Sequence, residues 1–514
     1  MGRINSNVQS MIAQRVLSQN NSTLSTSLER LSTGLKINRG KDDPAGLIAS
    51  ENLRSESKAT SAAITNADRA DQVVNIAEGG LQEISSMLSE LQGLVTNTAS
   101  RAGLSNEEKS ANQLQVDSIL QTIDRVSSST NFQGIKLLNG NFDFKTSGVQ
   151  SGVADYRVNA AKYTGGALAV DVQVTASAQQ GGVFLSLGGT SINISTGSSF
   201  VIEIAGSRGS RELTFASGTT LAKMVSTINT FTDVTGVEAS LSAGATRIGI
   251  NSKDFGSAEF ANVKVLNAAG INAVANGDAS TPVRGIYGRG NGDFLAPSTI
   301  VSTFVNANNG VIDYGQDLTG TINGIPTTSR GKTIRINTDF LDIEMTLSST
   351  QAQQLGNVGA GTNPAMMITG GGADFQLAGK VDIAGKVSLG IRDVSVRKLG
   401  DSSVGFLDRL ASGKTNNVTN GDLSGAQKIV AEAITQVSAL RGRLGAFQKN
   451  TIGATVRSLN VSVENTSAAQ SVIRDSDFAA ETAALTRSQI LVSASTNILS
   501  LANQAPNSAL QLLG

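Results

Sequence analysis

The sequence predicts helical rods built from the two ends of the chain, with a β-rich region inserted between them. Three observations carry this reading. Residues 70–95 place Ala70, Val73, Ala77, Leu81, Ile84, Leu88, Leu91 and Val95 at steps of three or four, which makes one apolar stripe along a helix. Residues 430–463 repeat the pattern with Val430, Ala433, Val437, Leu440, Leu444 and Phe447, then after a five-residue step with Ile452, Val456, Leu459 and Val463. From about 148 to 405 helical spacing gives way to period-two alternation and frequent glycine. A rod of the first stripe's length is about 40 Å long at 1.5 Å per residue. Burying each of its large side chains stabilises by roughly 1.5–3 kcal/mol, which a lone helix cannot collect. Matched seams at opposite ends of the chain therefore imply antiparallel coiled-coil rods formed by both termini, with an α+β region between. The five-residue step reads as a local skip that alters the supercoil without ending the helix.

The elements follow in order. Val8, Ile12, Val16, Leu24, Leu28, Leu31 and Leu35 mark a first amphipathic helix, polar in its middle at 19–23. Residues 36–41 read as loop. Asp42-Asp43-Pro44 restarts the helix, because a capping carboxylate accepts backbone N–H bonds and proline at the first helical position loses no needed donor. Capping is preferred here to a metal site. A break near Gly103 separates this rod from a helix carrying Val116, Ile119, Ile123 and Val126 on one face. Asn139-Gly140 is expected to turn a hairpin between 135–138 and 142–144, and Asn323-Gly324 a second one. Strands are expected through Val170, Val172 and Val174, through Val183, Leu185 and Leu187, and through Leu341, Ile343, Met345 and Leu347. Leu221, Met224, Val225, Ile228 and Phe231 predict one helix among them. The strands read as one or two small domains dividing near 277–291. A last helix spans roughly 475–505, with Leu485, Leu491, Ile498 and Leu501 as its main apolar positions. Pro506 is expected to end it, and the apolar tail at 509–513 to be docked.

Composition excludes much chemistry. Among 514 residues there is no cysteine and no histidine, so disulfides, thiolate nucleophiles, Ser-His-Asp triads and HExxH zinc sites are ruled out. No GxxxxGK[ST] loop is present. Paired carboxylates form no clear constellation, and neither an enzyme nor a cofactor is expected. Lys+Arg and Asp+Glu balance at 41 each, so no net field draws the chain to nucleic acid or an anionic membrane. No apolar run approaches the roughly 18 residues of a membrane span, and the N-terminus lacks the apolar core of a secretory signal.

Short motifs stand at both ends of the chain. They are Glu29-Arg30-Leu31-Ser32-Thr33-Gly34-Leu35-Lys36-Ile37-Asn38, Lys41-Asp42-Asp43-Pro44-Ala45-Gly46, Asp124-Arg125-Val126-Ser127 and Asn131-Phe132-Gln133-Gly134. Near the other end stand Leu440-Arg441-Gly442-Arg443-Leu444-Gly445-Ala446-Phe447-Gln448, Ile473-Arg474-Asp475-Ser476-Asp477-Phe478-Ala479-Ala480-Glu481 and Ala502-Asn503-Gln504-Ala505-Pro506. By these motifs the chain resembles bacterial flagellin; the match covers about the first 145 and last 100 residues, and 150–410 shows no comparable signature. The resemblance implies a flagellin-like fold, with residues 1–43 and 465–514 as an inner-tube domain and 44–150 plus 411–464 as a rod domain with a β-hairpin. Residues 151–410 would be the outer, variable region.

The resemblance also implies roles. Ile12, Val16, Leu24, Leu28, Leu31, Leu485, Leu491, Ile498 and Leu501 would serve the inner-tube helices, which alone should be disordered and should order on assembly. Val73, Ala77, Leu81, Ile84, Leu88, Leu91, Val95, Val437, Leu440, Leu444 and Phe447 would form the rod seam. The implied function is a structural subunit that polymerises with itself into an extracellular filament for swimming, exported unfolded by the flagellar type III apparatus. An export chaperone, junction proteins and a cap protein are the implied partners. The alternatives are a hook–filament junction protein and a non-flagellar coiled-coil adhesin, the latter leaving the paired terminal motifs unexplained. Flagellins recognised by an innate immune receptor carry an arginine four residues before a Leu, with an acidic residue just ahead of that Leu. Here those positions are Glu90, Gly93 and Leu94, so the arginine is replaced by a residue of opposite charge, and weak activation of that receptor is expected.

Overall fold

The computed structural model describes residues 6–100, 103–163, 165–194, 198–241, 247–271, 284–288, 300–304, 306–359 and 363–511. Helix α1 (Val8–Thr33) ends where Gly34 takes a left-handed φ of 74° and donates its N–H to the Arg30 carbonyl. Helix α2 (Pro44–Ala99) starts on Asp43, whose Oδ1 accepts the Gly46 N–H at 2.9 Å. Helix α3 (Asn106–Ser129) opens with a reciprocal cap: Ser105 Oγ accepts from Glu108 N–H, and Glu108 Oε2 accepts from Ser105 N–H.

The first hairpin differs from expectation. Its strands are Asn131–Phe132 and Ile135–Lys136, and the turn is Gln133-Gly134, with φ of 50° and 84°. Gly140 also has a positive φ, of 85°, but the strand beyond it does not pair with 135–138. Phe144–Ser147 pairs instead with Met366–Gly371. Any two residues able to hold positive φ can turn a hairpin, and the terminal Asn-Gly rule overlooked Gln-Gly. The second hairpin forms at Asn323-Gly324, with Thr319–Ile322 pairing Ile325–Pro326.

The middle of the chain contains two β-rich cores, one nested inside the other in sequence. The flanking core draws on residues 144–178 and 318–368, with Val158, Val172, Ile334, Ile343 and Met366 buried together. One of its antiparallel sheets runs Thr328–Arg330, Thr333–Asn337, Leu341–Leu347, Val153–Ala161. The nested core draws on 183–307, and its larger sheet runs Val237–Leu241, Arg247–Ser252, Gly182–Ser186, Gly285–Gly288, Ile300–Ser302. Helix α4 (Leu221–Thr230) seals this core with Leu221, Met224 and Ile228, followed by the single turns α5 (Thr232–Thr235) and, later, α6 (Ser349–Ala352). Because Gly285–Gly288 pairs with Gly182–Ser186, a division at 277–291 would cut through one sheet. Residues 277–283 and 289–291 lie outside the described residues.

Helix α7 (Leu423–Ala446) continues through a π-helical turn, Phe447–Ile452, into α8 (Gly453–Arg474). The π turn coincides with the five-residue step in the seam, since i to i+5 bonding carries one extra residue per turn without breaking the helix. The rod seam positions at 73–95 and 437–447 are all buried. Beyond Ile452 the seam opens: Val456, Leu459 and Val463 are only half-buried, and α8 has no fully buried residue. Helix α9 (Phe478–Gln511) passes through Pro506 rather than stopping before it. The side chains of the tail at 509–513 lie outside the described residues.

The fold divides into two compact units, Met1–Val74 with Phe375–Lys386 and Arg443–Gly514, and Asn75–Asp374 with Val387–Gly442. In the first, Asp71 Oδ1 accepts from Gln448 Nε2 at 2.8 Å and Glu51 Oε1 from Arg474 Nη1 at 3.0 Å, so α2 and α8 run antiparallel. In the second, Glu78 Oε1 pairs with Arg441 Nε at 2.8 Å. There Gln113 of α3 donates to the Leu410 carbonyl and accepts from Val418 N–H. No helix among the described residues is long and apolar enough to cross a membrane.

Candidate assembly surface

Helices α1 and α9 form an antiparallel pair whose seam is made largely of small and polar residues. On α1 the covered positions are Ser10, Ala13, Leu17, Asn20, Leu24, Ser27 and Leu31, alternating steps of three and four. On α9 they are Glu481, Leu485, Ser488, Val492, Ser495, Leu499 and Ala502, again at three and four. Ser488, Ser495 and Ala502 are the buried ones, one heptad apart. Small side chains let the two backbones approach, and polar atoms cross the seam in register. Ser10 Oγ donates to Asn503 Oδ1 at 2.7 Å, and Asn20 Nδ2 to Ser495 Oγ at 2.7 Å. Arg30 and Glu481 lie 3.9 Å apart at the other end.

Asn7 explains how α9 survives its proline. Pro506 has no N–H to give the Ala502 carbonyl four residues earlier. Asn7 Nδ2 donates to that carbonyl at 2.7 Å, while Asn7 Oδ1 caps α1 by accepting the Ser10 N–H. One side chain thus satisfies the N-terminus of α1 and an interior carbonyl of α9. The prolyl position alone could not reveal this, because the compensating donor lies at the opposite end of the chain.

The nine inner-tube residues expected from the sequence separate into two sets. Leu24, Leu31 and Leu485 sit in the seam. Ile12, Val16, Leu28, Leu491, Ile498 and Leu501 face outward, as do Val8, Met11, Phe478 and Ile490, with exposures from 41% for Val16 to 69% for Leu501. A scan for large apolar residues finds the outer faces and only Leu24, Leu31 and Leu485 of the seam, and it passes over the Ser, Ala and Asn positions between them. Ten large apolar side chains on one two-helix pair make a patch of the kind that marks a protein–protein surface.

The loop joining this pair to α2 is tightly bonded. Lys36 N–H donates to the Arg474 carbonyl at 2.7 Å and Ser476 N–H to the Gly34 carbonyl at 2.9 Å, closing a bridge between Leu35 and Asp475. Asp42 Oδ2 accepts from Arg39 N–H at 2.8 Å and Asn38 N–H at 3.2 Å, and the Arg39 bond in particular holds its carboxyl below the usual range. A Cβ on Gly46 would stand 2.5 Å from Asp43 Oδ2 and 2.7 Å from Ile37 Cδ1, so the close cap requires glycine there. Both aspartates are occupied by backbone donors. Among the described residues no group of three or more acidic side chains is placed to hold a metal.

Of the residues that the resemblance relates to receptor recognition, Glu90 and Gly93 are exposed on α2 and Leu94 is half-buried.

Comparison with known proteins places three family profiles on the chain. The bacterial flagellin N-terminal helical region matches residues 4–143 and the bacterial flagellin C-terminal helical region residues 427–513. The flagellin hook IN motif matches 199–254. The last match corrects the reading that 150–410 carries no signature: it covers the antiparallel pair Ser199–Gly206 and Gly209–Ala216, helix α4, and the strands that follow. Relatives span nearly the whole chain. The polar flagellin B/D of Vibrio parahaemolyticus is 27% identical, with 99% of each chain covered. A flagellin of Salmonella choleraesuis and flagellin C of Vibrio cholerae are each 28% identical over the same shares. Among solved structures, FliC from Burkholderia pseudomallei aligns at 14% identity over 74% of this chain and 99% of that one, with a TM-score of 0.24.

Proposed function

The chain belongs to the bacterial flagellins, and from that premise we propose how its parts divide the work of a subunit of the extracellular flagellar filament. Helices α1 and α9 assemble the inner tube: their small-residue seam holds the pair together, and their outward apolar faces pack against neighbouring copies. The α2, α3 and α7–α8 helices form the surrounding rod layer, and the β-rich cores at 151–410 project from it. The subunit is exported unfolded by the flagellar type III apparatus, with an export chaperone, junction proteins and a cap protein as partners. Its role is mechanical rather than enzymatic.

The observation that carries this reading is the sorting of apolar residues on α1 and α9. A helix pair folded for its own sake buries its largest side chains, whereas this one leaves ten of them outside. Covering each would stabilise the polymer by roughly 1.5–3 kcal/mol before ordering costs. Electron microscopy of the purified chain after seeding at neutral pH tests it. Long tubular filaments are expected, and Ile498→Asp should abolish them while leaving the far-UV circular dichroism of the monomer unchanged. Short rings or persistent monomers from the wild-type chain would instead indicate a junction protein.

The exposed Glu90, at a position where receptor-activating relatives carry arginine, supports weak activation of the innate receptor for flagellin. Purified monomer in a receptor reporter assay should give a weak response, and Glu90→Arg should raise it. A strong wild-type response refutes the proposal.

A further inference from the structure

Residues Phe375–Lys386 leave the β-rich region and join the unit that holds α1, α8 and α9. They form a strap across α2 near the π-helical turn. Phe375 stacks on Phe447 with ring centroids 6.0 Å apart and planes tilted by 34°. Asn66 Nδ2 reaches the Gln376 carbonyl. A Cβ on Gly379 would stand 3.3 Å from Ala59 C and Thr60 N, so the strap lies directly on the helix backbone there.

Past this base the strap closes into a tip held by its own hydrogen bonds. Gln376 Nε2 donates to the Lys380 carbonyl at 2.6 Å and the Ala378 carbonyl at 3.2 Å, and Leu377 N–H donates to the Gly385 carbonyl at 2.9 Å. Asp382 Oδ1 accepts from Gly385 N–H at 2.6 Å. The tip is therefore ordered before it meets anything, yet it presents two β-branched apolar side chains to solvent: Val381 is 92% exposed and Ile383 42%. A pre-organised apolar projection costs little entropy to bury, which suits it to docking.

We propose that this tip is a knob between subunits, seated on α8 of a second copy of this chain. The proposal rests on the filament reading above. Three observations choose the occupant. The strap belongs to the same compact unit as the outward apolar faces of α1 and α9, the surface proposed above to meet copies of this chain. Helix α8 is the long helix without a fully buried residue, and Val461 stands 56% exposed on it. Charges also match: Lys380 and Asp382 flank Val381, while Arg457 and Glu464 lie one turn to either side of Val461. A knob on one copy and its seat on the next make a head-to-tail contact, which repeats without closing and so suits a helical polymer.

The absence of cysteine gives a direct test. Val381→Cys carries a single thiol for an environment-sensitive fluorophore, and seeded polymerisation should shift its emission to the blue. The labelled Leu355→Cys variant, exposed elsewhere in the β-rich region, should not shift. The double variant Val381→Cys/Val461→Cys should give a ladder of disulfide-linked oligomers when filaments are oxidised, and no ladder overturns α8 as the seat. Val381→Asp/Ile383→Asp should keep the monomer's circular dichroism and raise the critical concentration for polymerisation roughly tenfold. Filaments with unshifted emission at Cys-labelled 381, or a wild-type critical concentration for the double Asp variant, overturn the knob and leave the filament reading standing. Failure of the unmodified chain to polymerise overturns the filament reading itself.

Discussion

Gly79 and Gly80 are neighbours in α2 with opposite reasons to be glycine. A Cβ at Gly79 meets nothing within 4 Å, so that glycine costs the helix backbone entropy and contributes no packing. A Cβ at Gly80 would stand 2.7 Å from Thr130 Oγ1 and 2.8 Å from Leu138 Cδ1. There the missing side chain lets the segment after α3 lie against α2, where Leu137 and Leu138 are fully buried. Gly79→Ala should stabilise the monomer by about 0.5–1 kcal/mol. Gly80→Ala should destabilise it by about 1–3 kcal/mol through overpacking. Thermal unfolding followed by far-UV circular dichroism distinguishes them, and equal shifts of the same sign would contradict the assignment. In the sequence the two glycines look identical, because what separates them is a threonine and a leucine some fifty residues further on.

At the scale of elements, legibility followed the size of the side chains that make each contact. The rod seam is built mainly of Leu, Ile, Val and Phe, and its period and its five-residue skip can be read from the sequence, although the skip reads as a change of supercoil and is in fact a π turn at Phe447–Ile452. The most buried positions of the α1–α9 seam are Ser and Ala, which a hydrophobic scan passes over. Its polar middle at 19–23, unusual for a buried helix, contains the Asn20 that bonds Ser495. Contacts between elements made by single ion pairs were also invisible. Asp233 of α5 accepts two bonds from Lys428 Nζ of α7, at 2.8 and 2.9 Å, and Lys253 stands 3.7 Å from the same carboxylate. The Lys428 bond, with the charges of Lys428, Lys253 and Arg208, holds the Asp233 carboxyl below its ordinary 3.8. Because the folded value is the lower one, this stabilisation is present above about pH 4 and is lost as pH falls through the folded pKa. Asp233 is half-exposed, so Asp233→Asn and Lys428→Ala should each cost no more than about 1 kcal/mol at neutral pH. The double variant should cost little more than either alone, and the gap between wild type and Asp233→Asn in thermal midpoint should narrow at pH 3. Fully additive losses would show that the two residues act separately.

The whole molecule is a set of insertions, each returning close to where it left. The termini supply helices, the flanking β core is inserted between them, and the nested core is inserted into that one. Its exit and entry are joined by a bridge: Gln179 and Gln316 exchange both backbone bonds, at 2.8 and 2.9 Å. Glycine makes the crossing tight, since a Cβ on Gly315 would stand 2.4 Å from the Gly256 carbonyl oxygen and 2.5 Å from that of Gln179. The nested core has its own buried cluster, from Val183 to Ala307, separate from that of the flanking core. A unit with its own core and adjacent ends can be removed without opening its host. Excising residues 181–314 and joining Gln180 to Gly315 through a two-residue Asn-Gly turn should therefore leave the flanking core and the helical rods folded. Ser257 bonds to Asp317 through both its N–H and its hydroxyl, and those bonds would be lost. The Gly331 N–H still holds that carboxylate at 2.6 Å, while the packing of Phe255 on the flanking core and the Asp233–Lys428 pair to α7 are lost with the excised segment, so a modest loss of stability should accompany the retained fold. The measurement is circular dichroism and seeded polymerisation of the excised chain. Retained helix and strand signals with filaments narrower than wild type are expected, because the assembly surface proposed on α1 and α9 and the strap are untouched. A chain that loses its remaining β signal would show that the two cores fold as one, and that the nested core supports its host instead of being carried by it.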